Sequence, residues 1–340
     1  MVSTSPSLCH KHGVHVDTPL LKWYDTHARR LAWRAPPGAP LPDPYRVWLS
    51  EIMLQQTTVA TVTPYFEKFT ARWPTVDALA DADDNDVMAA WAGLGYYARA
   101  RNLLACARAV DGCFPDTEAA LRKLPGIGLY TAAAIAAFAF GRRAVVVDGN
   151  IERVVARLFD IQTPLPTAKA ELYRLTDMIT PDDRCGDFAQ ALMDLGSMIC
   201  TPRAPKCLVC PLQSLCRARH PETLPRKLPK PARPARDGIA LWAEHDDRVW
   251  LVRRPDSGLL GGMRALPSGG WDGSDCPETG QLLGTVSHGF THFTLTLAVH
   301  KSSCALQPGG EWWPITAIDQ AGLPTVFAKA ARLAMRERNK

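Results

Sequence analysis

Apolar residues recur at helical spacing through the first two thirds of the chain and then give way to short, alternating runs. Segments 47–56, 86–91, 98–110, 131–140 and 151–159 carry the 3.6-residue pattern and are set apart by Pro and Gly. They predict an all-α region over 20–220, preceded by a polar leader over 1–19. Beyond residue 237, apolar or alternating runs at 238–243, 248–252 and 293–299 are bounded by Gly, Pro and Asp, as strands are. A basic helix is expected over about 326–338. The second region, 237–340, therefore reads as a smaller α+β domain.

Between the two lies PETLPRKLPKPARPAR, residues 221–236, with five prolines and five basic residues against one acid. Too polar to pack and too Pro-rich for a helix, it is expected to be an extended linker. In the leader, Cys9, His10, His12 and His15 lie close together but lack an established metal-ligand spacing.

Composition narrows the partners. Lys and Arg number 39 against 34 Asp and Glu, a net charge of +5 that suits a polyanion without requiring one. No apolar run reaches the roughly 18 residues of a membrane span, and the N-terminus lacks an apolar signal core. The expected location is cytoplasmic, on the nucleoid in a bacterium, so the ten cysteines point to metal or cluster ligation rather than to disulfides.

Four of them, Cys200, Cys207, Cys210 and Cys216, form C-x6-C-x2-C-x5-C directly after a helical segment. Thiolates this close in sequence can surround one tetrahedral ion or one cubane cluster. Zinc ribbons usually present two C-x2-C knuckles and this loop has one, which favours iron and sulfur, with zinc as the alternative. The spacing is similar to the [4Fe-4S] loop of the endonuclease III and MutY superfamily of DNA glycosylases. Nearby Arg203, Lys206, Arg217 and Arg219 would make the loop a basic platform for phosphates, or simply a solvated rim.

Leu124-Pro125-Gly126-Ile127-Gly128 lies between two helical patterns, where its glycines permit a tight reversal and a bare helix N-terminus. An ordinary helix–helix turn would have the same composition. With Tyr130 and Thr131 following, the segment resembles the helix-hairpin-helix of that superfamily, and the resemblance implies phosphate contact by Leu124, Gly126, Gly128 and Thr131.

Breaking an N-glycosidic bond needs a proton for the leaving base and a carboxylate for the cationic sugar. Glu51, inside the apolar helix VWLSEIMLQQT, is placed for a raised pKa, although a lone Glu at such a site is more often part of a structural ion pair. Asp148, in VVVDGNIERV, stands where a helix cap would. Both segments look like the catalytic segments of MutY-type adenine DNA glycosylases. The resemblance implies Glu51 as the acid that protonates adenine N7 and helps activate water, and Asp148 as the carboxylate beside the oxocarbenium-like sugar. Endonuclease III-like relatives carry a nucleophilic lysine just before the position of Thr131; Tyr130 stands here, which implies a glycosylase without lyase activity.

The same resemblance implies an adenine pocket of Trp33, Arg34, Leu54 and Gln190, with Ala32 departing from the family's LPWR, and a duplex wedge of Gln56 and Tyr96. GLLGGMRALPSG and HGFTHFTL are similar to the Nudix-like C-terminal domain of MutY proteins, which implies Phe290, Thr291 and His292 as readers of 8-oxoguanine, Thr replacing the family's Ser. A magnesium-dependent Nudix hydrolase needs a glutamate-rich helix, and 269–284 offers only Glu278. The expectation is thus a monomeric, helical, cluster-bearing glycosylase joined to a Nudix-like α+β domain, acting on duplex DNA with adenine opposite 8-oxoguanine or guanine. The rivals are an endonuclease III-like pyrimidine lyase, opposed by Tyr130 and the extra domain, and a noncatalytic DNA-binding or redox-sensing protein, opposed by the Glu51 and Asp148 pair.

Overall fold

A computed structural model of the chain describes residues 15–229, 232–255, 258–275, 280–302 and 309–338. Cys9, His10, His12 and Glu278 lie outside the described residues. Along the first 198 residues run α1 (Asp17–His27), α2 (Pro44–Leu54), α3 (Val59–Arg72), α4 (Val76–Ala80), α5 (Asp84–Trp91) and α6 (Ala98–Val110), then α7 (Glu118–Leu121), α8 (Leu129–Phe140), α9 (Gly149–Leu158), α10 (Lys169–Ile179) and α11 (Cys185–Met198). The first of these begins at Asp17, within the stretch expected to be leader. No helix of the described residues is long and apolar enough to cross a membrane.

The chain forms two compact units, one of residues 1–52 and 112–229, the other of 53–111 and 230–340. In the first, α8 is the central helix: LYTAAAIAAFAF is apolar on every face, and all its residues from Thr131 to Ala139 are buried. Its neighbour α11 approaches closely at Gly186, where a Cβ would fall 2.5 Å from the Ala137 carbonyl oxygen. The expected linker is not free along its whole length. Leu224 is only 3% exposed, and Leu165 donates its N–H to the Arg226 carbonyl at 2.8 Å. One buried leucine and backbone hydrogen bonds from Leu165 and Leu228 dock this stretch, which a count of charges did not reveal.

In the second unit, Thr58, Thr75 and Asp83 cap α3, α4 and α5. The C-terminal part is a seven-stranded mixed sheet of β1 (Ala235–His245), β2 (Arg248–Arg253), β3 (Arg264–Ala265), β4 (Ser268–Gly269), β5 (Gln281–Gly289), β6 (Thr294–Ser302) and β7 (Gly310–Pro314). Strands β1 and β6 pair in parallel, and the remaining pairs are antiparallel. Helix α12 (Thr325–Arg338) buries Val326, Phe327, Ala330 and Ala331 in the core that also holds Trp242 and Trp271. Of the strands the pattern missed, β5 is the longest; its burial alternates from Gly284 on, past an irregularity in register, but of the half-buried positions there only Val286 is apolar, so the sequence does not mark it.

Candidate active site

The site begins with a carboxyl group placed on an apolar helix. Glu51 in α2 is 7% exposed, and the Tyr130 hydroxyl donates to its Oε2 at 2.9 Å. Burial raises the Glu51 pKa to about 7, and the nearby Asp148 charge pushes the same way, while the Tyr130 hydrogen bond and Arg34 act against them. A carboxylic acid that shares its proton with solvent near neutrality is a usable general acid. Burial also keeps the Tyr130 phenol protonated, its pKa raised well above 10, with Glu51 and Asp148 reinforcing the effect.

Asp148 is the N-cap of α9. Its Oδ1 accepts from the Asn150 and Ile151 backbone N–H groups at 2.9 and 2.7 Å, and its Oδ2 accepts from Asn150 Nδ2 at 2.8 Å. The capping role and the placement beside Glu51 therefore coexist in one residue. Glu51, Tyr130, Asp148 and Arg34 share one electrostatic neighbourhood within the first unit.

Arg34 owes its place to a residue the sequence reading passed over. Asp194 of α11, 0% exposed, accepts from Arg34 Nη1 at 2.9 and 3.0 Å, from Arg29 Nε at 2.5 Å and from the Arg29 backbone N–H at 3.0 Å. The available signal was the one that marked Glu51, an acid on an otherwise apolar helix. One turn earlier on α11, Gln190 receives the Tyr24 hydroxyl on its Oε1 at 3.1 Å, so one lone pair of the amide is already engaged. Trp33, beside Arg34, is buried, while Leu54 falls in the second unit at the end of α2.

The hairpin precedes Tyr130 directly. Gly126 has φ +73°, which only glycine adopts without strain. Gly128 has ordinary φ and caps α8 without a side chain; a Cβ added there would meet nothing within 4 Å. Thr131 is buried, so only its backbone can serve a ligand outside the fold.

Helix α9 also joins the carboxylate to the cysteine loop. Arg153 donates to Asn150 Oδ1 and to the Cys200 carbonyl at 2.8 Å each, and the buried Arg157 donates to Cys200 Sγ at 3.2 Å and to the Thr201 carbonyl at 2.8 Å. Burial pushes the Cys210 thiol up to about 11, with Cys200, Cys216 and Cys207 adding to the shift, so the four sulfurs lie within one another's field. Yet among the described residues no group of three or more His, Cys, Asp or Glu gathers as tightly as one metal ion requires. Four thiols that sense one another are the donor set that a [4Fe-4S] cluster takes. Arg203, Lys206, Arg217 and Arg219 are exposed around them.

In the second unit, Gln56 and Tyr96 line a cavity of roughly 470 Å3 together with Phe290, Thr291 and His292. The Tyr96 hydroxyl lies 3.0 Å from Thr291 Oγ1. Both Gln56 and Tyr96 hold positive φ, 57° and 50°, so strained backbone aims them. Phe290 is less available than its neighbours: it stacks on Trp271 and Phe293, with centroids 5.8 and 4.7 Å apart.

Three family models match the chain: the HhH-GPD superfamily of base excision DNA repair proteins over residues 49–180, the iron-sulfur binding domain of endonuclease III over 200–216, and the NUDIX domain over 238–333. The human adenine DNA glycosylase is 34% identical across 92% of this chain and 73% of its own length. The chain belongs to the adenine DNA glycosylase family. Another member, from Mycolicibacterium smegmatis, is 42% identical over 59% of this chain and 68% of its own. A solved thermostable thymine-DNA glycosylase superposes on 59% of this chain with a TM-score of 0.52 and 31% identity. An endonuclease III–DNA complex, at 23% identity and a TM-score of 0.50, has the same helical fold. The cofactor of this family's cysteine loop is a [4Fe-4S] cluster, which Cys200, Cys207, Cys210 and Cys216 would ligate here.

Proposed function

We propose that the chain is a monofunctional DNA glycosylase that hydrolyses the N-glycosidic bond of adenine paired with 8-oxoguanine or guanine. The observation that carries this reading is Glu51, a buried acid with a pKa near 7 beside Asp148. Glu51 donates its proton to adenine N7 as the C1′–N9 bond breaks, so the base leaves neutral. The Asp148 side chain, its oxygens held by three N–H donors, faces the oxocarbenium-like sugar, and water adds at C1′ as its proton passes to the Glu51 carboxylate. Trp33, Arg34 and Gln190 of the first unit receive the extruded base. A phenol cannot form a Schiff base, so Tyr130 supports a glycosylase without lyase chemistry.

The bare N-terminus of α8 is the phosphate contact, and Leu124 and Gly126 shape the turn before it. Because neither backbone geometry nor crowding demands glycine at 128, Gly128→Ala should leave thermal stability unchanged while weakening duplex binding roughly tenfold at fixed salt. Unchanged binding in a fluorescence-anisotropy titration would remove the hairpin from the interface.

Gln56 and Tyr96 open the duplex, and Thr291 and His292 read the partner base in the cavity they share. Losing the hydroxyl in Thr291→Ala should narrow the preference for 8-oxoguanine over guanine by about five- to tenfold, the worth of one hydrogen bond. An unaltered ratio of single-turnover rates would count against Thr291.

The whole reading is tested with purified protein on duplexes holding adenine opposite 8-oxoguanine, guanine or thymine, and on one holding an oxidised pyrimidine. Free adenine should be released from the first two, and borohydride should trap no covalent adduct. Binding without release, or a trapped adduct at a pyrimidine lesion, would replace it with one of its rivals.

A further inference from the structure

A glutamine amide has ends of nearly equal size and opposite chemistry, an acceptor oxygen and a donor N–H2. Adenine presents an amino donor beside a ring-nitrogen acceptor; a 6-oxopurine such as hypoxanthine presents a carbonyl acceptor beside an N–H donor. Whichever way the Gln190 amide lies therefore favours one class of base over the other. An amide free to turn would favour neither.

Here one phenol holds it. Tyr24 of α1 is 1% exposed, Gln190 is 6% exposed, and the Tyr24 hydroxyl donates to Gln190 Oε1 at 3.1 Å. Burial raises the Tyr24 pKa to about 12, so the proton it donates is present at any working pH. Turning the amide over would point N–H2 at the phenol oxygen and take the acceptor away from a buried O–H. One turn along α11, Asp194 ties the same helix face to Arg29 and Arg34, which fixes the backbone that carries Gln190.

We propose that Tyr24 is a positioning residue for base specificity: by engaging Gln190 Oε1 it sets the polarity of the amide and so selects a 6-aminopurine over a 6-oxopurine. The inference rests on the reading that Gln190 faces the excised base.

The test compares single-turnover excision of adenine and of hypoxanthine, each opposite 8-oxoguanine, by the full-length holoenzyme and its Tyr24→Phe, Gln190→Glu, Gln190→Ala and Tyr24→Phe/Gln190→Glu variants. Tyr24→Phe keeps the ring and removes only the donor. It should narrow the adenine-to-hypoxanthine rate ratio about tenfold, with adenine slowing and hypoxanthine gaining. A carboxylate has two like oxygens and no polarity to set, so the same change in the Gln190→Glu background should leave that variant's ratio within twofold. An equal change in both backgrounds would reduce Tyr24 to a packing residue and overturn the proposal, as would an unchanged ratio with Gln190 in place. Gln190→Ala separates the two levels. If it leaves both rates intact, the base-facing reading fails and takes the proposal with it; if it alters the ratio while Tyr24→Phe does not, only the role of Tyr24 falls.

Discussion

Glu51→Gln is expected to lower adenine excision by roughly a thousandfold while leaving duplex binding within a few-fold of the parent, because the amide keeps the shape and loses the proton. A protonation requirement also fixes the sign of the pH dependence. The protonated form is the active one, and burial moves its loss from the ordinary carboxylate range, 4.5, to about 7. Single-turnover rates should be level below about pH 7 and fall about tenfold per pH unit above it. A rate that stays flat to pH 9, or a Glu51→Gln protein with parental excision, would take general-acid catalysis away from this residue. Tyr130→Phe offers a finer check: without the hydrogen bond that lowers the Glu51 pKa, the alkaline limb should move to higher pH.

The second large effect concerns Asp194. It is fully buried and holds Arg34, whose side chain is 10% exposed, together with Arg29. Asp194→Ala leaves a guanidinium without its counter-charge in a dry site, a change that costs about 3–5 kcal/mol. In a unit of this size that is a fall of roughly 10 °C in melting midpoint. Excision should decline too if Arg34 receives the base as proposed, and because Arg34 lowers the Glu51 pKa, its release should move the alkaline limb of the rate to higher pH. A variant melting within 2 °C of the parent would mean that the pair contributes little, and normal excision would free Arg34 from the site.

Much of the architecture could be read from the chain before folding was considered. A cluster loop is local, because four thiols must come together within a short stretch, and the spacing of Cys200, Cys207, Cys210 and Cys216 carries that on its face. The hairpin is local as well, since Gly126 needs positive φ whatever surrounds it. Glu51 stood out because a charged residue interrupts an apolar helix. The identical signal at Asp194 went unread, since nothing near it in sequence names Arg29 or Arg34, which lie 165 and 160 positions away.

Sequence alone determined the helical class, the sheet-bearing C-terminal region, the spacing of the cysteine loop and the acid that interrupts an apolar helix at Glu51. Local spacing and backbone preference encode each of these, and both act over a few residues. Tertiary structure decided the protonation of Glu51, the anchoring of Arg34, the polarity of the Gln190 amide and the meeting of Tyr96 with Thr291, 195 residues apart. Each depends on which distant side chains exclude water from a group or supply its hydrogen-bond partner, and only the folded chain brings those together.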